Sequence, residues 1–266
     1  MNPVAWWRDL TQNPVYLREK GRWGTPNPFY EKLRRFSPLV VIGVIVLGAC
    51  SGWSNPSLFA GNGDLVLLWC LVCVPGMLLS TLTLFGAFMA PALTAPLISL
   101  EISQGTWDVL RTTPIPLNTI LLAKLFGALS RLRLFWWLLF TVSLFYGLLT
   151  ACSLSLTAEP YALWGWALGL ATVIRPWVEV VCAALLGMYL STWIRSATIA
   201  LASSYGSLVA LKLVNNMGVW ILVTTQMNLA EQSVWSGTLG PTAVYTLLLL
   251  FLFIALRRRA RTLEGI

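Results

Sequence analysis

Few side chains in this chain are equipped for chemistry, and they fall into two groups. The first is a polar insert between two long apolar runs, EISQGTWDVLRTTPIPLNTILLAK, from Glu101 to Lys124. Read at helical spacing, Glu101, Gln104, Asp108 and Arg111 share one stripe while Ile102, Thr106, Val109 and Leu110 share the other. That pattern predicts a short amphipathic helix over 101–113. Thr113-Pro114-Ile115-Pro116 ends it, since each proline lacks an amide donor and moves the preceding residue out of helical backbone. A short helix at the mouth of two membrane spans is suited to be gripped by a soluble partner. The second group is Arg175, Glu179 and Lys212, the only charges within or at the outer ends of apolar spans. Ionisable groups there are costly and default to a functional role. Arg175 and Glu179 are spaced i, i+4 and can neutralise each other, while Lys212 is close enough to a span end to snorkel. A structural ion pair and a substrate path both remain open for these three, but isolated charges of this kind do not make a proton or ion relay.

Other chemistry is excluded by what the chain lacks. It has no histidine, which argues against an HExxH zinc protease, imidazole-ligated haem and a Ser-His pair. No GxxxxGKS or GxxxxGKT phosphate loop occurs, so the chain does not itself bind ATP by the common route. Carboxylates at catalytic spacing are absent too, so no catalytic residue is assigned. Cys50, Cys70, Cys73, Cys152 and Cys182 lie in or beside apolar runs, where a thiol packs as a small hydrophobe. Cys70 and Cys73 form a CxxC without a second pair, and packing outweighs metal or redox chemistry there.

The elements that must position these groups are membrane helices. Of 266 residues, 57% are hydrophobic and 11% charged, with 14 Trp. Soluble domains carry roughly 25% charge. Several apolar runs exceed the roughly 18 residues needed to cross a bilayer, and spanning backbone must satisfy its own hydrogen bonds, so the class is an all-α polytopic membrane protein. The net charge of +8 is sorted by membrane side rather than gathered into a basic domain, which argues against nucleic acid as a partner. Arg8 to Arg35, Arg111 to Arg133, Arg195 and Arg257 to Arg261 hold sixteen of the eighteen bases, and the loops near 51–64, 153–161 and 215–240 hold none. The positive-inside rule then places both termini in the cytoplasm and makes the span count even; six spans are predicted.

In order, residues 1–37 form a cytoplasmic or interfacial segment, 38–257 the six-span domain and 258–266 a basic cytoplasmic tail. The first segment carries seven bases and four prolines and is not a signal peptide. Its interleaved aromatics and bases, Trp6, Trp7, Tyr16 and Trp23 among them, predict a headgroup-layer helix, with a partly ordered basic tail as the alternative. Span one is 38–53. Span two begins near 65 and stays apolar to 100, about 54 Å if wholly helical against about 30 Å of hydrocarbon, with kinks expected at Pro75, Pro91 and Pro96. Span three centres on 132–152 and is either a long helix projecting inward or a surface helix joined to a span. Span four ends near Arg195, which leaves 162–174 as an extension, an outer surface helix or a re-entrant piece. Span five is 196–215, a half-inserted hairpin is expected at 217–225, and span six is 241–256. The RRRAR run that closes it also favours anionic lipid.

The chain resembles the permease subunit of an ATP-binding-cassette exporter of the type-2 class. The matching pattern is Glu101, Gly105-Thr106, Leu110, Thr113-Pro114, Ile120 and Lys124, with Asn13-Pro14, Arg18-Glu19 and Arg22 resembling the start of the family's interfacial helix. Gly187 to Ser191, Arg195 and Tyr205-Gly206 resemble its fourth and fifth spans. The resemblance implies a half-transporter in a prokaryotic-type plasma membrane, with a coupling helix between spans two and three and a re-entrant hairpin before span six. It implies as partners a separate ATPase subunit, which holds ATP and magnesium, and a second permease copy or homologue. Coupling to the ATPase falls to Glu101, Gly105, Thr106, Trp107, Asp108, Leu110, Arg111, Thr113, Pro114 and Lys124. Within that set Thr106, Trp107, Leu110 and Arg111 dock, while Glu101 and Lys124 orient the hinge. A substrate of hydrophobic or amphipathic character fits the scarcity of polar groups along the spans. A non-transporting scaffold or accessory subunit fits it as well, whereas an ion-coupled carrier calls for midplane carboxylates that are missing.

Overall fold

The structure is a computed structural model and describes residues 3–21, 35, 74–155, 162–215 and 238–262. Among the described residues every regular element is helical. Two short helices come first, α1 (Pro3–Gln12) and α2 (Pro14–Glu19). The polar insert and its approaches form α3 (Val74–Thr94), α4 (Pro96–Ser103), α5 (Thr106–Arg111) and α6 (Leu117–Leu129). A 3-10 turn (Ser130–Leu132) leads into α7 (Arg133–Ser155), followed by α8 (Ala162–Ser191), α9 (Ala197–Leu213) and α10 (Gly240–Thr262).

Among the described residues four stretches are long and apolar enough to cross a membrane: Pro75–Ser103, Leu117–Cys152, Gly165–Ser191 and Gly240–Thr262. The shortest has 23 residues and reaches about 35 Å, against roughly 30 Å of hydrocarbon. The protein is therefore an all-helical, multi-pass membrane protein. Within the predicted fifth span lies α9, an apolar helix of only 17 residues, shorter than these four. Span one at 38–53, the beginning of span two, Cys50, Cys70, Cys73 and the hairpin at 217–225 lie outside the described residues.

One alternative left open by the sequence is decided. Residues 162–174 extend span four: α8 runs unbroken for 30 residues, with Pro176 inside it. Over the predicted third span the chain is helical from Leu117 to Cys152 with the 3-10 turn at Ser130–Leu132 inside it, and its first part, α6, packs against α1 and α2. In span two Pro91 stays within α3, while Ala95 interrupts the run and Pro96 sits in the first turn of α4. That is where a missing N–H costs least.

By its internal contacts the chain divides into two units, one of residues 1–25, 87–133 and 178–266, the other of 26–86 and 134–177. In the first, Leu10, Tyr16 and Ala123 form a core with Trp6, Val15, Leu17, Leu122 and Phe126 packed on it. Close approach is made possible by Gly127, where a Cβ would lie 2.7 Å from Cβ of Glu19, and by Gly187, where it would lie 2.8 Å from Oγ1 of Thr94. Thr94 Oγ1 donates across this contact to the Ala184 carbonyl at 2.8 Å. In the second unit Gly147 of α7 meets Gly169 of α8: a Cβ on Gly169 would come 2.7 Å from the Gly147 carbonyl oxygen. Trp136 stacks on Trp177 at 5.0 Å, and Phe140 meets Trp177 edge-on. Small residues that let backbones touch, supplemented by aromatic contacts, are how helices associate where lipid supplies no hydrophobic drive.

Candidate functional site

Lys124 explains the arrangement of the polar insert. It lies mid-helix in LNTILLAKLFGAL with its side chain wholly buried. An ammonium there is tolerable only with carboxylates beside it. Two are supplied from distant parts of the chain: Nζ donates to Oε1 of Glu101 at 2.6 Å and to Oε1 of Glu19 at 3.2 Å. Glu101 is 2% exposed, and its Oε1 also accepts from Arg18 Nη2 at 2.8 Å. Arg131 Nε donates to the backbone carbonyl of Glu19. Two cations and two carboxylates thus close a neutral network that ties α2, the end of α4 and the middle of α6 to one another.

Local sequence places each member. The Asn13 side chain accepts from the Val15 amide at 2.9 Å, Pro14 presets the first turn of α2, and Gly21 leaves the helix with φ 82°. These caps hold α2 to one short length, so that Arg18 and Glu19 fall in its last turn. Glu101 sits in the last turn of α4, immediately before the turn at Gln104-Gly105.

The turn corrects the amphipathic reading of 101–113. Gly105 adopts φ 68°, a left-handed conformation that ends α4 and starts α5 in a new direction. The stripe drawn through a continuous helix is therefore broken. Glu101, placed on the water-facing stripe, is buried; Val109, placed on the apolar stripe, is 68% exposed. Trp107, expected to dock a partner, is 3% exposed and so offers no free surface. Thr106 and Asp108 are exposed and Leu110 half-buried. Thr106 Oγ1 donates back across the turn to the Glu101 carbonyl at 3.4 Å. Arg111 ends α5; Thr113 Oγ1 caps the Leu110 carbonyl at 2.6 Å, and exposed Pro114 follows.

The second predicted group is distributed differently. Glu179, 3% exposed, bonds Lys212, which lies 33 positions away on α9. Thus α8 and α9 are joined by an ion pair across helices. Arg175 lies one residue before Pro176 on α8.

Sequence reasoning placed Glu101 and Lys124 at the hinge but did not assign Arg18 and Glu19 as their partners, nor Arg131 as a donor to the Glu19 carbonyl. The signal was present: a lysine within Leu121–Leu125 demands buried acid, and Glu101 alone leaves the N-terminal helices untied. Among the described residues no cluster of His, Cys, Asp and Glu could hold a metal ion. No family model matches this chain, and no curated protein or solved structure matches it either.

Proposed function

We propose that this chain is the membrane-spanning permease subunit of an ATP-driven transporter of the ATP-binding-cassette type, an exporter of hydrophobic or amphipathic substrates. In this reading six spans leave both termini cytoplasmic, with the four long helices, α9 and residues 38–53 as the crossings. A partner ATPase chain carries ATP and magnesium, and two permease chains enclose the substrate. The observation that carries the reading is Val109, an apolar side chain 68% exposed, next to exposed Asp108 and three residues on from exposed Thr106 on a six-residue helix. Lipid does not account for an apolar knob flanked by polar groups on a short, hinged helix; a groove in a soluble protein does. The buried network at Lys124 makes this helix a lever rather than a loose loop. Displacement of α5 reaches α4 through the Gly105 turn, and from Glu101 it reaches α2 and α6 together.

The test is purification of the full chain from its own membranes in mild detergent. Wild type should carry a nucleotide-hydrolysing chain with it, and Val109→Asp should lose that chain while remaining folded. An ATPase retained by Val109→Asp would remove α5 from the docking surface. If wild type brings no ATPase at all, the scaffold or accessory reading takes its place.

A further inference from the structure

A cavity of about 130 Å³ lies within the first unit, where α5, the turn after α8 and the last turns of α10 come together. Trp107, Asp108, Thr192, Trp193, Arg195 and Arg259 are among the residues lining it. Among the described residues two of its donors lack acceptors. The indole Nε1–H of Trp107 is buried without a partner, in a side chain 3% exposed, and Nε of Arg259 is buried without one as well. The guanidinium of Arg259 lies 4.1 Å above the Trp193 ring, which holds it in place. Among the described residues neither Arg195 nor Arg259 pairs with a carboxylate. A buried donor with no acceptor costs about 1–3 kcal/mol, and more when charged. Two such donors beside one cavity therefore point to an acceptor that is supplied from outside the chain. Asp108 opposes the two arginines, leaving one net positive charge. Thr192 Oγ1 already donates to the Tyr189 carbonyl at 2.7 Å. The volume is about ten times the ~10–15 Å³ that admits a single water, which is room for a polyatomic anion.

We propose that this cavity binds the phosphate of an anionic phospholipid headgroup, with Arg195, Arg259 and the Trp107 indole as donors. A lipid is favoured over a soluble phosphate by where the cavity lies. Arg259 comes three residues after Leu256, where the apolar run of α10 gives way to arginine. Trp193, 58% exposed, comes two residues after α8 ends at Ser191. An exposed indole and basic side chains at the ends of two membrane-crossing helices mark headgroup depth. The inference does not require an ATPase partner, and its test reads lipid binding alone.

The full chain, purified in detergent, is titrated with dioleoyl phosphatidylglycerol and followed by native mass spectrometry. Dioleoylglycerol, which has the same chains and no phosphate, serves as the control lipid. Wild type should hold one phosphatidylglycerol at least about tenfold more tightly than dioleoylglycerol, as for a hydrogen bond to a charged group. The double variant Arg195→Gln/Arg259→Gln should lose that preference. Trp107→Phe, which keeps the ring and removes only the N–H, should weaken it severalfold. Arg261→Gln, in the same basic run but not lining the cavity, should leave it unchanged. Equal binding of the two lipids by wild type, or an undiminished preference in both cavity variants, overturns the proposal. Displacement of the lipid by an equal concentration of inorganic phosphate does so too, by assigning the site to a soluble anion.

Discussion

Lys124→Met isolates the network at the hinge. Methionine keeps nearly the volume and the apolar stem of lysine, so the change removes an ammonium and little packing. The local charge falls from zero to minus one. Glu101 then keeps only Arg18 at 2.8 Å, whose side chain is 53% exposed, and Glu19 keeps the same arginine at 3.9 Å. Removing one partner of a buried pair costs about 3–5 kcal/mol. The surviving contact to a half-solvated arginine argues for the lower end, about 3 kcal/mol, or roughly two orders of magnitude in the folding equilibrium. Glu101→Gln/Lys124→Met should recover most of it, because the cost lies in unpaired charge rather than in lost contact. The assay is unfolding in mixed micelles, with hydrogen exchange at α2 as the local readout, and exchange should accelerate there first. A Lys124→Met protein within about 0.5 kcal/mol of wild type, with α2 exchanging no faster, would mean that the network is not what ties these helices together.

Other consequences can be checked in the same system. Gly105→Ala should cost about 1–2 kcal/mol, since a Cβ there meets nothing within 4 Å and the whole penalty is the left-handed backbone; faster exchange over α5 is the measurement. Gly187→Val should cost about 1–3 kcal/mol because a Cβ falls 3.0 Å from the Pro91 Cα, which cannot yield, whereas Gly206→Ala, with open space around it, should be neutral or slightly stabilising in thermal unfolding. Lys212→Met should destabilise by about 3–5 kcal/mol and Glu179→Gln/Lys212→Met by far less; if the double variant is stable but transports nothing, the pair belongs to a substrate path.

The contrast between the two polar groups shows what a sequence can disclose. Apolar run length located the long helices, because helix rise and bilayer thickness are fixed. The prolines at 96 and 114 marked real boundaries, because a missing amide acts locally. The face of α5 was not legible, since a hydrophobic stripe assumes one unbroken helical phase and a single left-handed glycine resets it. Gly105 could be read as a family motif residue but not as the break. The extent of α8 was missed for a related reason: a span of about 20 residues is what a bilayer requires, not what limits a helix that continues beyond it. Glu19 reaches Lys124 from 105 positions away and Lys212 reaches Glu179 from 33, and no spacing rule reaches that far.

Asn215, two residues beyond α9, donates from Nδ2 to the carbonyl of Pro241 in α10 at 3.3 Å. The two ends of the intervening stretch are therefore held side by side by an amide clasp that does not depend on what joins them. The start of α10 is thereby set against the end of α9 through a single side chain.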